Sequence, residues 1–338
     1  MKKILPCAIP PITSYPLIAN MMSVLWLHKE ETLPWIADRF IQLIGRKKNS
    51  WLATAAGTFY EYETGYNRPM FLSCPYLYCS RIDRKLLNYQ KFSFVNFIKF
   101  CIDNNSYLHG GLNQYHFSDS PTYHSEHYTH PTFIYGYDDL EKKIYIRDFF
   151  KDKYRDSYSL YDEAELSFLD VEYDALQEFL KYITIFSYRN VFYNVNISKI
   201  VRDYTEYLNA TDTRSIYSDD YVYKSAETLY GLAYYDLLDF NFSNLRKIDL
   251  RAFHVLVDHK VIQDVRIKYL IESNHLNNGD LIIDMNNNLH NQCLFLRNLA
   301  IKGLVSKDQR VALKGKEYCR IIREEDSELV AKILENIK

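Results

Sequence analysis

The chain has 338 residues, 25% of them charged, with a formal net charge of -2. That length suits two domains, or one large domain with an extension, and the near-balanced charge gives no overall pull toward nucleic acid or an anionic membrane. With 31 Tyr and 19 Phe against 10 Gly and 9 Pro, composition excludes a disordered or low-complexity chain. No run approaches the roughly 18 uninterrupted apolar residues of a membrane helix. The scattered cysteines, Cys7, Cys74, Cys79, Cys101, Cys293 and Cys319, suit reduced thiols in a cytosol better than a disulfide framework.

The N-terminus opens with two lysines, but Pro6, Pro10, Pro11 and Pro16 break its apolar run and no small-residue cleavage site follows Trp26, so it reads as mature protein. Ser14 is placed to cap a first helix with Pro16 at the second position after it. Leu17, Met21, Val24, Leu25 and His28 then fall at helical spacing, and the helix ends near His28. A second helix is expected from about Thr32, with Pro34 in its first turn. Trp35, Ile36, Phe40, Leu43 and Ile44 line its apolar side, and Asp38 and Arg39 face water. Gly45 and Arg46-Lys47-Lys48 mark its exit. From Trp51 to Ile82 the pattern is irregular and assigns no element. Phe92 to Asn104 is helical, with Phe94, Phe97, Ile98 and Cys101 on one side. Ser106 to Phe117 reads as a strand interrupted at Gly110-Gly111, where a bulge or a close backbone approach is expected.

After a polar, turn-rich stretch from Ser118 to Thr129, two apolar runs, Thr132 to Tyr137 and Lys143 to Phe149, flank a polar corner at Asp138 to Lys142. This is the pattern of an antiparallel hairpin. His130 stands at the start of its first strand and Asp148 near the end of its second, so the two meet at one rim. An imidazole oriented by a carboxylate is two-thirds of a nucleophilic triad. Residues 1-160 are therefore expected to form an α+β domain with an antiparallel sheet. Beyond about Leu160, helix-length periodicity recurs at Ala175 to Phe186, Ile197 to Asn209, Tyr217 to Asp239, Leu250 to Ser273, Asn286 to Lys302 and Asp326 to Ile337. Residues 161-338 accordingly read as an all-α domain or a helical cover.

His116, His124, His127 and His130 form a local cluster whose last three members share an H-x-x-H-x-x-H spacing. On a helix that spacing would put three imidazoles on one face, suited to zinc or iron. Thr129, Pro131 and the strand that follows oppose a helix there, and no metal or other cofactor is expected. Arg251, His254, His259, Lys260 and Arg266 give the helix from 250 to 273 a partly basic face, either solvated or open to a phosphate-bearing group. Asp239, Asp249 and Asp258 have no metal-ligand spacing.

The run HPTFIYGYDD, followed by a charged corner and KIYIRD, resembles the histidine and aspartate strands of papain-like cysteine peptidases and acyltransferases. It is most similar to the butirosin-biosynthesis acyltransferase family, found with nonribosomal peptide and related clusters. YGLAYYDLL (Tyr230 to Leu238) and FHVLVDHK (Phe253 to Lys260) resemble the helical C-terminal part of such proteins. The resemblance implies a papain-like domain followed by helices. It also implies a partner in an acyl or peptidyl carrier protein with a phosphopantetheine-bound substrate, and transfer of the acyl group through a cysteine to an amine, or its hydrolysis. His130 would be the base and Asp148 its orienting group, with a cysteine at the start of the first long helix, where amides and macrodipole stabilise a thiolate. Here the sequence departs from the pattern, because Ser14, Tyr15 and Pro16 stand at that start. Cys7, seven positions before Ser14, is the nucleophile this reading selects. Ser14, otherwise a cap, and Cys74, otherwise a buried small hydrophobe, are its alternatives. The competing reading is a degenerate papain-like protein that binds a carrier protein or peptide intermediate without catalysis.

Overall fold

The computed structural model describes residues 1-46, 56-59, 74-89, 93-151, 153-172, 180-211 and 228-338. In chain order the first elements are β1 (Lys2–Ile4), α1 (Pro16–Leu25), a 3-10 turn (Trp26–His28), α2 (Lys29–Ala37), β2 (Leu43–Arg46), β3 (Ala56–Phe59) and β4 (Leu77–Asp83). Next come α3 (Arg84–Tyr89), α4 (Phe94–Asp103), β5 (Tyr107–Asn113), a 3-10 turn (Gln114–His116), β6 (Thr129–Asp138), β7 (Lys143–Phe150) and β8 (Lys153–Leu160). The remainder is α5 (Tyr161–Leu169), β9 (Tyr182–Tyr188), α6 (Ile197–Leu208), β10 (Thr228–Tyr230), α7 (Tyr234–Ser243), α8 (Leu250–Glu272), α9 (Gly279–Ser306) and α10 (Gln309–Asn336). Two compact units result. Met1–Lys29 joins Arg68–Val191 in one, and Glu30–Asn67 joins Phe192–Lys338 in the other.

The first unit is built on an antiparallel sheet of described strands in the order β4-β9-β5-β6-β7-β8, with β1 pairing β6 beyond the end of β5. The hairpin is β6 and β7, and its polar corner turns at Lys142, which has a positive φ of 52°. α4 is capped by Ser93, whose hydroxyl accepts from the Asn96 amide at 3.2 Å. Its Phe94 stacks on Phe168 of α5 with ring centroids 4.1 Å apart. β5 keeps regular register through Gly110 and Gly111, so the glycines mark a close approach and not a bulge. A Cβ on Gly110 would come within 2.4 Å of Ile183, and one on Gly111 within 2.9 Å of Leu180.

The two units are not the two halves expected from the sequence. β9 lies between β4 and β5, so the sheet draws on the chain as far as Tyr188, whereas residues 30-67 belong with the helices. The helix expected at Ala175 to Phe186 is replaced from Tyr182 onward by strand β9; residues 175-179 lie outside the described residues. Its sequence, Tyr-Ile-Thr-Ile-Phe-Ser-Tyr, is β-branched and aromatic, and strand propensity prevailed.

In the second unit α8, α9 and α10 pack as successive hairpins, and β10, β2 and β3 form a small antiparallel sheet, so this region is helical but not all-α. The second expected helix stops at Ala37. Phe40 adopts a φ of 58°, which ends helical geometry, and Leu43–Arg46 becomes β2. Asp38, expected in water, is buried and accepts hydrogen bonds from the Tyr193 hydroxyl at 2.7 Å and the Asn196 amide at 3.1 Å. In the stretch Tyr217 to Asp239, residues 217-227 lie outside the described residues; the rest forms β10, a short turn and the start of α7. The helices expected at Asn286 to Lys302 and Asp326 to Ile337 are parts of the longer α9 and α10. Among the described residues no helix is long and apolar enough to cross a membrane.

Candidate active site

Strand alternation sorts the sheet's side chains into two faces. The pairs Leu112↔His130, Gly110↔Thr132 and Leu108↔Ile134 fall on one face, and His109↔Phe133↔Arg147↔Asp156 on the other. Asp148, next to Arg147, shares the first face. His130 Nδ1 therefore reaches Asp148 Oδ1 across the hairpin at 2.7 Å, as the sequence pattern predicts.

The carboxylate is fully buried and each of its oxygens is used. Oδ1 also accepts from the Phe149 amide at 2.7 Å, and Oδ2 accepts from Gln114 Nε2 at 2.9 Å and from the Thr132 hydroxyl at 2.8 Å. Gln114 is held in turn by the Ser120 hydroxyl, which donates to Oε1 at 3.1 Å. A carboxylate only accepts, so the proton of a neutral His130 sits on Nδ1 and Nε2 carries the lone pair. The His130 side chain keeps 17% of its surface accessible, against none for Asp148. Tyr128 stacks on the imidazole at 5.6 Å and Phe149 meets it edge-on at 6.1 Å.

The loop from Gln114 to Tyr128 is closed by Asn113, whose Oδ1 accepts from the Tyr115 and Tyr128 amides, both at 3.1 Å. Its Nδ2 donates to His127 Nδ1 at 2.7 Å and to the Asp170 carbonyl at 2.9 Å. The clustered histidines have separate duties. His116 donates to Asp170 at 2.8 Å, His127 stacks on Tyr115, and His124 stacks on Tyr123 with a φ of 50°. His124, His127 and His130 do not converge, and among the described residues no group of three His, Cys, Asp or Glu side chains is arranged to hold a metal ion.

Cys7 is placed elsewhere. The Tyr107 hydroxyl donates to the Pro6 carbonyl at 2.5 Å and Arg147 donates to the Ala8 carbonyl at 2.5 Å, so both neighbours of Cys7 are tied to the face opposite His130. Leu5, two residues before Cys7, donates its amide to the Tyr135 carbonyl at 2.8 Å, and Tyr135 is five strand residues, roughly 17 Å, from His130. Burial pushes the thiol up to about 11, only partly offset by the Arg147 guanidinium. That shift is opposite to what a nucleophilic thiolate needs. Cys74 is buried in the turn before β4, and the six cysteines form no disulfide.

Tyr15, not Ser14, occupies the cap position of α1, with Pro16 as the first helical residue, so Ser14 lies one residue outside the helix. Along α1, Ser23 accepts from Arg147 at 3.2 Å. One turn earlier Asn20 accepts from the Tyr154 hydroxyl at 2.5 Å and donates to His109 Nδ1 at 2.6 Å. Tyr154 pairs with Phe149, so α1 runs with its N-terminus toward the His130 end of the sheet. Burial pushes the His109 imidazole down to about 3, partly countered by Asp148. Gln114, Thr132 and Asn113 do not stand out in the sequence. Thr132 has one signal, its place two residues after His130 on the same strand face.

The arrangement supplies an imidazole with one nitrogen fixed by a buried carboxylate and the other free to take up and return a proton. Neither a family model nor a curated protein matches this sequence.

Proposed function

We propose that the chain is a cytosolic papain-like protein of a natural-product pathway that acts on an acyl or peptidyl thioester carried by a carrier protein. His130 is the base in this reading and Asp148 the group that orients it. The observation that carries it is the 2.7 Å His130–Asp148 bond, with the carboxylate buried and every oxygen engaged, an arrangement that holds the ring in one tautomer. Cleaving a thioester moves a proton twice. The attacking group loses one as its bond to the acyl carbon forms, and the departing thiolate gains one as the C–S bond breaks. His130 Nε2 performs both transfers.

The attacking group in this reading is the acceptor amine or a water, not Cys7, because Cys7 is tied to the opposite face with its thiol held protonated. The test is release of the acyl group from a loaded carrier protein, followed by intact mass. General-base loss predicts that His130→Ala slows release by about 10²- to 10⁴-fold. Cys7→Ala should leave the rate unchanged, and no acyl adduct should appear on the protein. An adduct lost in Ser14→Ala would instead give the attack to Ser14. His130→Ala as active as the parent refutes the base assignment. The placement of Cys7 also favours a second reading, a degenerate protein that binds the loaded carrier. Tight binding without release by the parent would establish it.

A further inference from the structure

Over the whole chain the charges nearly cancel, but they are not evenly spread. α9 and α10 are joined by a turn of two residues, Lys307 with a φ of 56° and Asp308, which caps α10 by accepting from the Arg310 amide at 2.9 Å. From Ile301 to Lys314 this tip carries Lys302, Lys307, Arg310 and Lys314 against a single acid, Asp308. Asp308 is itself paired with Arg310 at 2.9 Å, and the Arg310 side chain is 90% exposed. The loop between α7 and α8 lies alongside, since Lys307 donates to the Leu245 carbonyl at 3.2 Å. It adds the exposed Arg246 and Lys247. Amid these cations two branched aliphatic side chains stand in water, Val305 at 79% exposure and Leu313 at 69%. The tip is a closed, capped turn, so this exposure belongs to an ordered element.

We propose that the α9–α10 tip docks on an anionic lipid surface, with the Lys and Arg side chains at the headgroups and Val305 and Leu313 set between them. The chemistry favours lipid over an acidic protein face. The apolar groups are aliphatic and project from a convex turn, whereas protein hot spots are aromatic or Arg anchors set in fitted pockets. Four of the six cations are lysines, whose flexible stems let the ammonium groups stay in the headgroup layer while the tip enters it. The contact proposed is peripheral, made by the tip alone; among the described residues no helix is long and apolar enough to cross a membrane.

The full chain would be tested by co-sedimentation with vesicles of phosphatidylcholine alone and of phosphatidylcholine with one-third phosphatidylglycerol. Binding is expected only to the anionic vesicles and should weaken as salt rises. Each basic side chain removed should weaken it about fivefold, so Lys302→Ala with Arg310→Ala costs about 25-fold. Val305→Ser with Leu313→Ser should weaken it without changing its salt dependence. All four positions are exposed, and an unchanged melting temperature confirms that each variant is folded. Equal binding to both vesicle types, no binding to the anionic ones, or wild-type binding by the charge variant overturns the proposal. Binding to poly-glutamate but not to vesicles also overturns it and assigns the tip to an acidic protein.

Discussion

The buried ion pair of the helical unit allows a test in which two single substitutions, both destabilising, respond to pH in opposite senses. Lys260 Nζ donates to Asp326 Oδ1 at 2.5 Å, and both side chains are fully buried. Asp326 Oδ2 accepts from the Tyr207 hydroxyl at 2.6 Å and the Tyr235 hydroxyl at 2.9 Å, so one carboxylate serves three donors on three helices. Asp326→Ala leaves a buried ammonium and two phenols without their acceptor. Breaking such a pair costs about 3–5 kcal/mol. The charge contribution has a ceiling, because neutralising an ordinary lysine at pH 7 costs about 4–5 kcal/mol. Lys260→Met leaves a carboxylate that keeps two donors, so its cost should be smaller, about 2–3 kcal/mol. At about 2–4 °C per kcal/mol for a unit of this size, Asp326→Ala should melt roughly 10–15 °C lower and Lys260→Met roughly 5–10 °C lower.

The signs then separate. A stranded ammonium is relieved by losing its proton, so the deficit of Asp326→Ala shrinks as pH rises; a stranded carboxylate is relieved by gaining one, so that of Lys260→Met shrinks as pH falls. The double variant Lys260→Met with Asp326→Ala strands no charge and should be less destabilised than the sum of the two singles by about 2 kcal/mol or more. Urea unfolding of all four proteins at three pH values measures this. Additive singles, or deficits that move with pH in the same sense, would refute the reasoning.

Three further outcomes follow from the same kind of inspection. Gln263 is fully buried on α8 and among the described residues neither its amide nitrogen nor its oxygen has a partner, so Gln263→Leu should raise stability by about 1–2 kcal/mol; a lower urea midpoint would mean that the amide is satisfied in solution. His109 is held neutral in the folded protein, pushed down to about 3, whereas in the unfolded chain it titrates near its ordinary value of about 6.5. The unfolded state therefore binds the extra proton between those values. The His109 contribution is present above about pH 6.5 and lost as pH falls, by about 2 kcal/mol at pH 5. His109→Gln should flatten this part of the profile, and an unchanged slope would argue against a buried neutral imidazole. Gly231 has a φ of 50°, and a Cβ there would lie 2.2 Å from the Tyr207 carbonyl oxygen. Gly231→Ala should destabilise by about 2–4 kcal/mol, visible as a lower melting temperature.

The hairpin was legible because the signals that mark it, two apolar runs and one polar corner, are local. The facing of the pair was not: the register shifts by one residue between Ile134 and Gly136, and without that shift Asp148 would oppose Phe133 on the face away from His130. What secures the pair was not legible. Gln114 reaches Asp148 from another strand's end across 34 positions, and nothing in its neighbours in sequence marks a glutamine as a carboxylate's donor. Asp38 shows the same limit from the other side. At helical spacing it belonged with the water-facing residues, but its partners Tyr193 and Asn196 lie more than 150 positions away. The helix starts expected at Asn286 and Asp326 lie inside the longer α9 and α10, because helix packing outweighs the weak propensities of single residues.

Cys7 is the most instructive case. Standing seven positions before Ser14, it could reach His130 only if its loop folded back or the helix started earlier; α1 starts at Pro16, and a fold-back does occur: the Ala8 amide donates to the Ser23 carbonyl at 2.8 Å. The direction of that fold-back is fixed by Arg147, which holds the Ala8 carbonyl and the Ser23 hydroxyl together. Arg147 is the immediate neighbour of Asp148, and adjacent residues of a strand point to opposite faces. The side chain that anchors the Cys7 loop and the one that orients the base are thus on opposite faces by consequence of strand geometry. Any attack that His130 assists must come from a group on its own face or from beyond the sheet's end, where α1 begins.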